Sequence, residues 1–414
     1  MFSLILYIDP GTGSALFSIL IGVFITLYFL SKTIFIKVKQ FISSGKVDHS
    51  ITYKNDCVIY NEGNQYWNLF RPILEEFESR KISLLYLTSS IDDPAFDYNF
   101  AYIKITFIGD GSKAFARLNI LQAGICLMTT PGLNVYQLKR SKLTNHYSFL
   151  HHSPTDASLY KLFSFDYFDS ILLTGEYQAT AIRELEILRN LPSKKLITVG
   201  CTYLDELDKM NSPINVNDII KDNHYTVLIS PSWGHSGLLS KFGTKLIDPL
   251  LESNNNIIIR PHPQSKISEK TLLNKLESIY LNSNKIVWDY NNDNYDSMSK
   301  ADIMISDFSG IIFDYFFLFN KPVIYSIENF DKRQYDCDDL DSKLWCFETL
   351  KLAGISLLEK DLPNINSIIR KAFLNSNLLL SRKTARETAW QHRGKAAINV
   401  VDFMINTLKE IKKV

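Results

Sequence analysis

Downstream of residue 55 the chain alternates short apolar runs with segments whose apolar residues recur at helical spacing. The runs fall at 58–60, 83–87, 103–108, 125–128, 171–173 and 196–199, and helical patterns lie between them at about 66–80, 113–123 and 177–190. Such alternation predicts a mostly parallel sheet covered by helices. A second series begins at 226–229 and continues through 257–259, 285–288, 303–305 and 323–325. The chain is therefore expected to hold two similar α/β halves in succession, joined in the polar stretch 211–223. A last helix at about 384–412 is long enough to reach back to the first half.

The stretch 301–326, ADIMISDFSGIIFDYFFLFNKPVIYS, shows the unit most plainly. An apolar run breaks at Ser306-Asp307-Phe308-Ser309-Gly310, and helical spacing resumes at Ile311, Ile312, Tyr315, Phe316 and Phe319. Pro322 then stops the helix, because it has no backbone N–H to donate, and a second apolar run follows. This is strand, tight loop, helix, strand. Ser309 and Gly310 fall where the first free amides of the helix stand, a place suited to a phosphate. The same residues also serve a plain cap and tight turn.

Ahead of these halves, residues 10–31 carry no charged side chain and are about long enough to cross a bilayer. Lys32, Lys37, Lys39 and Lys46 follow, while only Asp9 precedes, so the positive-inside rule puts the remainder in the cytoplasm. The apolar residues 1–8 and the turn at Asp9-Pro10-Gly11 also allow a re-entrant hairpin. The expected organisation is thus a membrane anchor with a basic juxtamembrane segment at 1–45, an N-terminal Rossmann-like acceptor domain at 46–215, a C-terminal Rossmann-like donor domain at 216–383, and a C-terminal helix at 384–414. Lys and Arg total 45 against 44 Asp and Glu, a net charge of +1, so no global field favours nucleic acid. The five cysteines show no C-x-x-C pattern, which suits reduced thiols.

In doubly wound sheets ligands bind beyond the carboxyl ends of the strands, so the residues just after each apolar run carry the chemistry. After 226–229 comes Ser230-Pro231-Ser232-Trp233-Gly234, after 257–259 comes Arg260-Pro261-His262-Pro263, and after 303–305 comes the Asp307-Ser309-Gly310 loop. Arg260 offers a planar cation and His262 a donor, together suited to a diphosphate leaving group. In the first half, His151-His152-Ser153-Pro154 stands at a strand mouth, where His152 is the better general base toward a hydroxyl. A capping role, with Ser153 as N-cap, fits that stretch equally. Lys139 and Arg140 form a compact basic patch for a phosphorylated acceptor, and Asp336, Asp338, Asp339 and Asp341 read as surface.

The R-P-H-P element, followed about forty residues later by 301–314 (ADIMISDFSGIIFD), resembles the CDP-glycerol glycerophosphotransferase family, which contains teichoic-acid primases and polymerases. The likeness runs across 225–325 and is looser before it. His152-Ser153 is similar to a His-Gly element whose histidine is taken as the base, without its glycine or the lysine expected after it. Ser232-Trp233-Gly234 is similar to a Thr-Trp-Arg element without the arginine. The resemblance implies a GT-B fold of two facing Rossmann-like domains. It implies transfer of a glycerol-phosphate-like group from a CDP-linked polyol donor to a membrane-associated acceptor hydroxyl, with CMP leaving. His152 then takes the proton; Ser232, Trp233, Arg260, His262, Asp307, Ser309 and Gly310 hold the donor, His262 also acting in catalysis; Lys139 and Arg140 meet the acceptor. No metal and no cofactor enter this scheme. Two alternatives stand beside it: a GT-B glycosyltransferase using a nucleotide-sugar, and a catalytically silent membrane scaffold of a surface-polymer pathway.

Overall fold

The computed structural model describes residues 55–210, 224–291, 293–327 and 330–413. Seven stretches of the first half form strands: β1 (Asn55–Asn61), β2 (Leu84–Thr88), β3 (Ile103–Phe107), β4 (Ala123–Met128), β5 (Thr144–Leu150), β6 (Ser170–Leu173) and β7 (Lys195–Thr198). They pair in the order β3-β2-β1-β4-β5-β6-β7, every neighbour parallel. The second half repeats the plan with β8 (Thr226–Ile229), β9 (Asn256–Ile259), β10 (Ile286–Trp288), β11 (Ile303–Ser306), β12 (Val323–Tyr325) and β13 (Ile355–Ser356). Their order is β10-β9-β8-β11-β12-β13, again parallel throughout. Parallel pairing demands crossover helices on both faces, and so the inner strands are buried on both sides and read as unbroken apolar runs. Ile257, Ile258 and Ile259 of β9 are an instance.

Each sheet reverses its winding once, between β1 and β4 in the first half and between β8 and β11 in the second. Chain emerging from neighbouring strands at such a point departs in opposite directions and leaves a crevice. The loops after β1 and β5 and those after β8, β9 and β11 meet across the space between the halves.

The C-terminal stretch differs from expectation. Instead of one helix from about 384, there are two, Ser376–Ala389 and Ala396–Ile411. The chain turns between them through His392 (φ 52°) and Gly394 (φ 76°), both in the left-handed region. The first helix packs on Trp345–Ala353 of the second half. The second crosses back, burying Val400, Val401, Phe403 and Met404 against Cys57, Ile59 and Leu127 of the first sheet. Gly124 makes room for it: a Cβ there would stand 2.5 Å from Leu408.

Further ties cross between the halves. Asp156 accepts the Trp345 and Cys346 amides, at 2.9 and 2.8 Å, and so caps a second-half helix from a first-half loop. Arg189 pairs with Asp336 and Asp339. Asp336 is fully buried, contrary to its reading as surface, because it also accepts the Phe163 amide.

Among the described residues no helix is long and apolar enough to cross a membrane. The expected anchor at 1–45 and the join at 211–223 lie outside the described residues. The five cysteines are unpaired and buried.

Candidate active site

Between the halves lies a cleft of about 310 Å³, within the range that holds a small ligand. Its walls bring together His152 and Ser153 from the loop after β5, Ser230 and Pro231 after β8, Arg260 to Pro263 after β9, and Ser309 to Ile311 after β11.

His152 is held by its own half. The Thr129 hydroxyl donates to the Leu150 carbonyl at 2.9 Å and so must accept from His152 Nδ1, 2.6 Å away. That fixes the proton on Nδ1 and leaves Nε2 with a lone pair. The Tyr160 hydroxyl lies 3.3 Å from both ring nitrogens and, being equidistant, points along neither in-plane lone pair. Burial pushes the imidazole down to about 4, so it is neutral near pH 7 and able to take a proton. His151 has no such place. It is fully buried among the rings of Phe149, Tyr160 and Phe165, and burial pushes it down to about 3.

His262 is in the opposite tautomer. Its Nδ1 accepts the Gln264 amide at 3.1 Å, which puts the ring proton on Nε2. Burial holds its pKa below the ordinary value as well. The cleft therefore carries one imidazole that accepts and one that donates, each fixed through its Nδ1.

Gly310 and Ile311 present an anion cradle. The Ser309 amide is taken by Asp307 at 3.1 Å, and the Ile312 and Phe313 amides bond the Ser309 and Gly310 carbonyls. The amides of Gly310 and Ile311 have no protein partner among the described residues, and they open the nine-residue helix Ile311–Phe319. Gly310 is glycine for closeness, not for its φ of −59°. A Cβ there would lie 2.9 Å from Ser153 Oγ, across the cleft.

Other expected site residues serve at one remove or elsewhere. Arg260 lines the cleft, but its guanidinium is paired to Asp289 at 2.5 Å and to the Asn291 carbonyl at 2.7 Å. Asp307 is fully buried and does not line the cleft. Its carboxylate accepts the amides of Ser232, Leu238 and Ser309, and so pins the loops after β8 and β11 together. Ser232 is held by that bond, and Trp233, 44% exposed, stands at the rim with its ring 6.5 Å from that of His262. Lys139 and Arg140 are absent from the cleft: Lys139 Nζ reaches the Asn134 carbonyl, and Arg140 pairs with Asp169 over the Tyr147 ring. Asp156, four residues on from His152, is occupied by the helix it caps.

Sequence reasoning assigned no role to several groups that line the cleft: Gln65, Tyr66, Tyr203, Asn294 and Asp314. Asp314 is only 8% exposed, its Oδ1 has no hydrogen-bond partner, and burial pushes its pKa up to about 7. The available signal was an acidic residue one turn into an otherwise apolar helix, IIFDYFFLF.

Residues 190–341 match the sequence profile of a family described as CDP-glycerol:poly(glycerophosphate) glycerophosphotransferase. No curated protein matches the chain. Among solved structures, the wall teichoic acid polymerase TagF aligns over 93% of this chain and 97% of its own, at 15% identity and a TM-score of 0.56. A variant of that polymerase soaked with CDPG aligns over the same shares at 13% identity and a TM-score of 0.55. S. aureus MnaA in complex with UDP covers 86% of this chain and 97% of its own, at 12% identity and a TM-score of 0.55. At such identities the likeness is one of fold, and it extends the GT-B architecture over both halves. Residues 190–341 thus resemble the CDP-glycerol glycerophosphotransferase family in sequence, and the chain as a whole is similar in fold to a GT-B polymerase.

Proposed function

We propose that this protein transfers a glycerol-phosphate-like group from a CDP-activated polyol to an acceptor hydroxyl in the making of a cell-surface polymer or glycolipid. The observation that carries the reading is the pairing, in one cleft, of an accepting histidine from the first half with a donating histidine and two free helix amides from the second. The acceptor O–H gives its proton to His152 Nε2 as its oxygen bonds the phosphorus that bears the polyol. The bond from that phosphorus to the bridging oxygen breaks, and CMP leaves with the electron pair. His262 Nε2–H and the Gly310 and Ile311 amides bear on the diphosphate, where negative charge gathers during transfer. Arg260, already paired with Asp289, sets the rim of the diphosphate site through its backbone turn more than through its charge. Residues 1–45 anchor the protein to the cytoplasmic membrane, where a lipid-linked acceptor is presented, with both halves facing the cytoplasm.

The test is a donor panel on the purified full chain. Release of CMP from CDP-glycerol or CDP-ribitol, with UDP-sugars inert, is the expected result. Turnover of UDP-sugars alone moves the assignment to a glycosyltransferase, and binding of no nucleotide at all leaves only a scaffold role.

A further inference from the structure

Resting on that donor reading, we propose that Asp314 is a donor-contacting residue that enters the complex as the neutral acid, so that binding the CDP-linked diphosphate takes up one proton. Three observations meet here. Asp314 lines the cleft one helical turn beyond the Gly310 and Ile311 amides, on the helix whose N-terminus faces the diphosphate. More than nine-tenths of the residue is buried, and Oδ1 has neither water access nor a hydrogen-bond partner, a costly state for a carboxylate and a tolerable one for an acid. No cation forms an ion pair with it among the described residues. Placing a doubly negative diphosphate beside an ionised carboxylate adds repulsion, whereas the O–H of the acid donates to a phosphoryl oxygen.

Among the groups around the cleft, Asp314 is the one pushed up to about 7. Cys201, which precedes the helix Thr202–Lys209 packed beside it, and Tyr203 within that helix are both pushed up by burial. That helix's acids are engaged elsewhere: Asp205 with Trp390, Glu206 with Arg71 and Asp208 with Arg393. On the helix Ser376–Ala389 behind it, Arg382 bonds the Ala353 carbonyl and Arg386 lies 3.5 Å from Glu387. Across the cleft His152 and His262 lie below the ordinary histidine range, and Arg260 is paired with Asp289. Asp314, pushed up to about 7, thus loses its proton within the window from pH 6.5 to 8.5. The sign follows: affinity is full below that point and is lost as pH rises.

Calorimetric titration of CDP-glycerol into the full chain at pH 6.5 and 8.5 tests this, because both phosphates of that donor keep constant charge across the window. Wild-type affinity is expected to fall roughly tenfold or more, and Asp314→Asn, which cannot ionise, to change by less than about threefold. Buffers of differing ionisation enthalpy should register close to one proton taken up per donor at pH 8.5 in the wild type. Equal pH profiles in the two proteins overturn the proposal. Should Asp314→Asn fail to fold, absence of proton uptake in the wild type overturns it alone. UDP-glucose, which has the same diphosphate charge, separates the two readings. If it binds with the same proton uptake while CDP-glycerol does not bind, the donor assignment falls and Asp314's role stands. If CDP-glycerol binds without proton uptake, the reverse holds, and if neither binds at any pH both fall.

Discussion

The chemistry of the cleft turns on which nitrogen of each histidine carries its proton, and that is decided by neighbours outside the cleft. Thr129 keeps the Nδ1 proton of His152, and the Gln264 amide strips Nδ1 of His262 of its proton. In the proposed transfer His152 acts as the acceptor ionises. His152→Ala is therefore expected to lower kcat by roughly 100-fold or more with donor Kd almost unmoved. His262→Ala removes the hydrogen bond proposed to hold the diphosphate in ground and transition states alike, so donor Kd should rise about tenfold or more along with the loss of rate. Calorimetry beside steady-state kinetics distinguishes them, and a His152→Ala protein that no longer binds donor would unseat His152 as the base. Both histidines and Gly310 were legible in sequence because each stands just past an apolar run. The balance of charge was not. Arg260 meets its partner Asp289 from 29 residues away, and Asp307 looks like a ligand carboxylate until its three amide donors are seen.

At the level of elements, the helix Ile311–Phe319 both opens the anion cradle and touches the opposite half. Its first residues pass so close to Ser153 that a methyl group at Gly310 has no room. Gly310→Ala should destabilise by about 1–3 kcal/mol if the halves stay together, or else part them and cut activity. Adding Ser153→Ala, which removes the Oγ that the methyl meets, should restore much of either loss. Wild-type activity and melting temperature in Gly310→Ala alone would sink this account. Strands of the two sheets were read closely from sequence wherever both faces are buried, as in β8, β9 and β12. The pattern hid β5, whose Thr144, His146 and Ser148 look like loop residues. They sit in a strand because Ser170 answers His146 and Ser148 at 2.9 and 2.7 Å, a pairing that exists only once β5 and β6 are side by side. The break before Ala396–Ile411 was equally unreadable, since a left-handed histidine leaves no mark on hydrophobic spacing.

Across the whole molecule, the described residues bury apolar cores in both halves. Deleting residues 1–40 is therefore expected to release a folded protein that keeps donor binding and no longer sediments with membranes. Fractionation after a high-salt wash checks it, and a truncated chain that still pellets would require a second membrane-binding surface. The return of the last helix has its own consequence. Residues 396–411 follow every described strand of both sheets along the chain, yet they pack on β1 and β4 of the first sheet, β1 being the first described strand to be made. Lys412 then meets Asp56 at 2.8 Å, closing the loop of the chain. Everything the second sheet needs is synthesised before that helix emerges. The half that is translated first is thus completed after the second sheet has been made, and a nascent chain halted near residue 395 carries every described strand of both sheets but a first half that still lacks its closing helix.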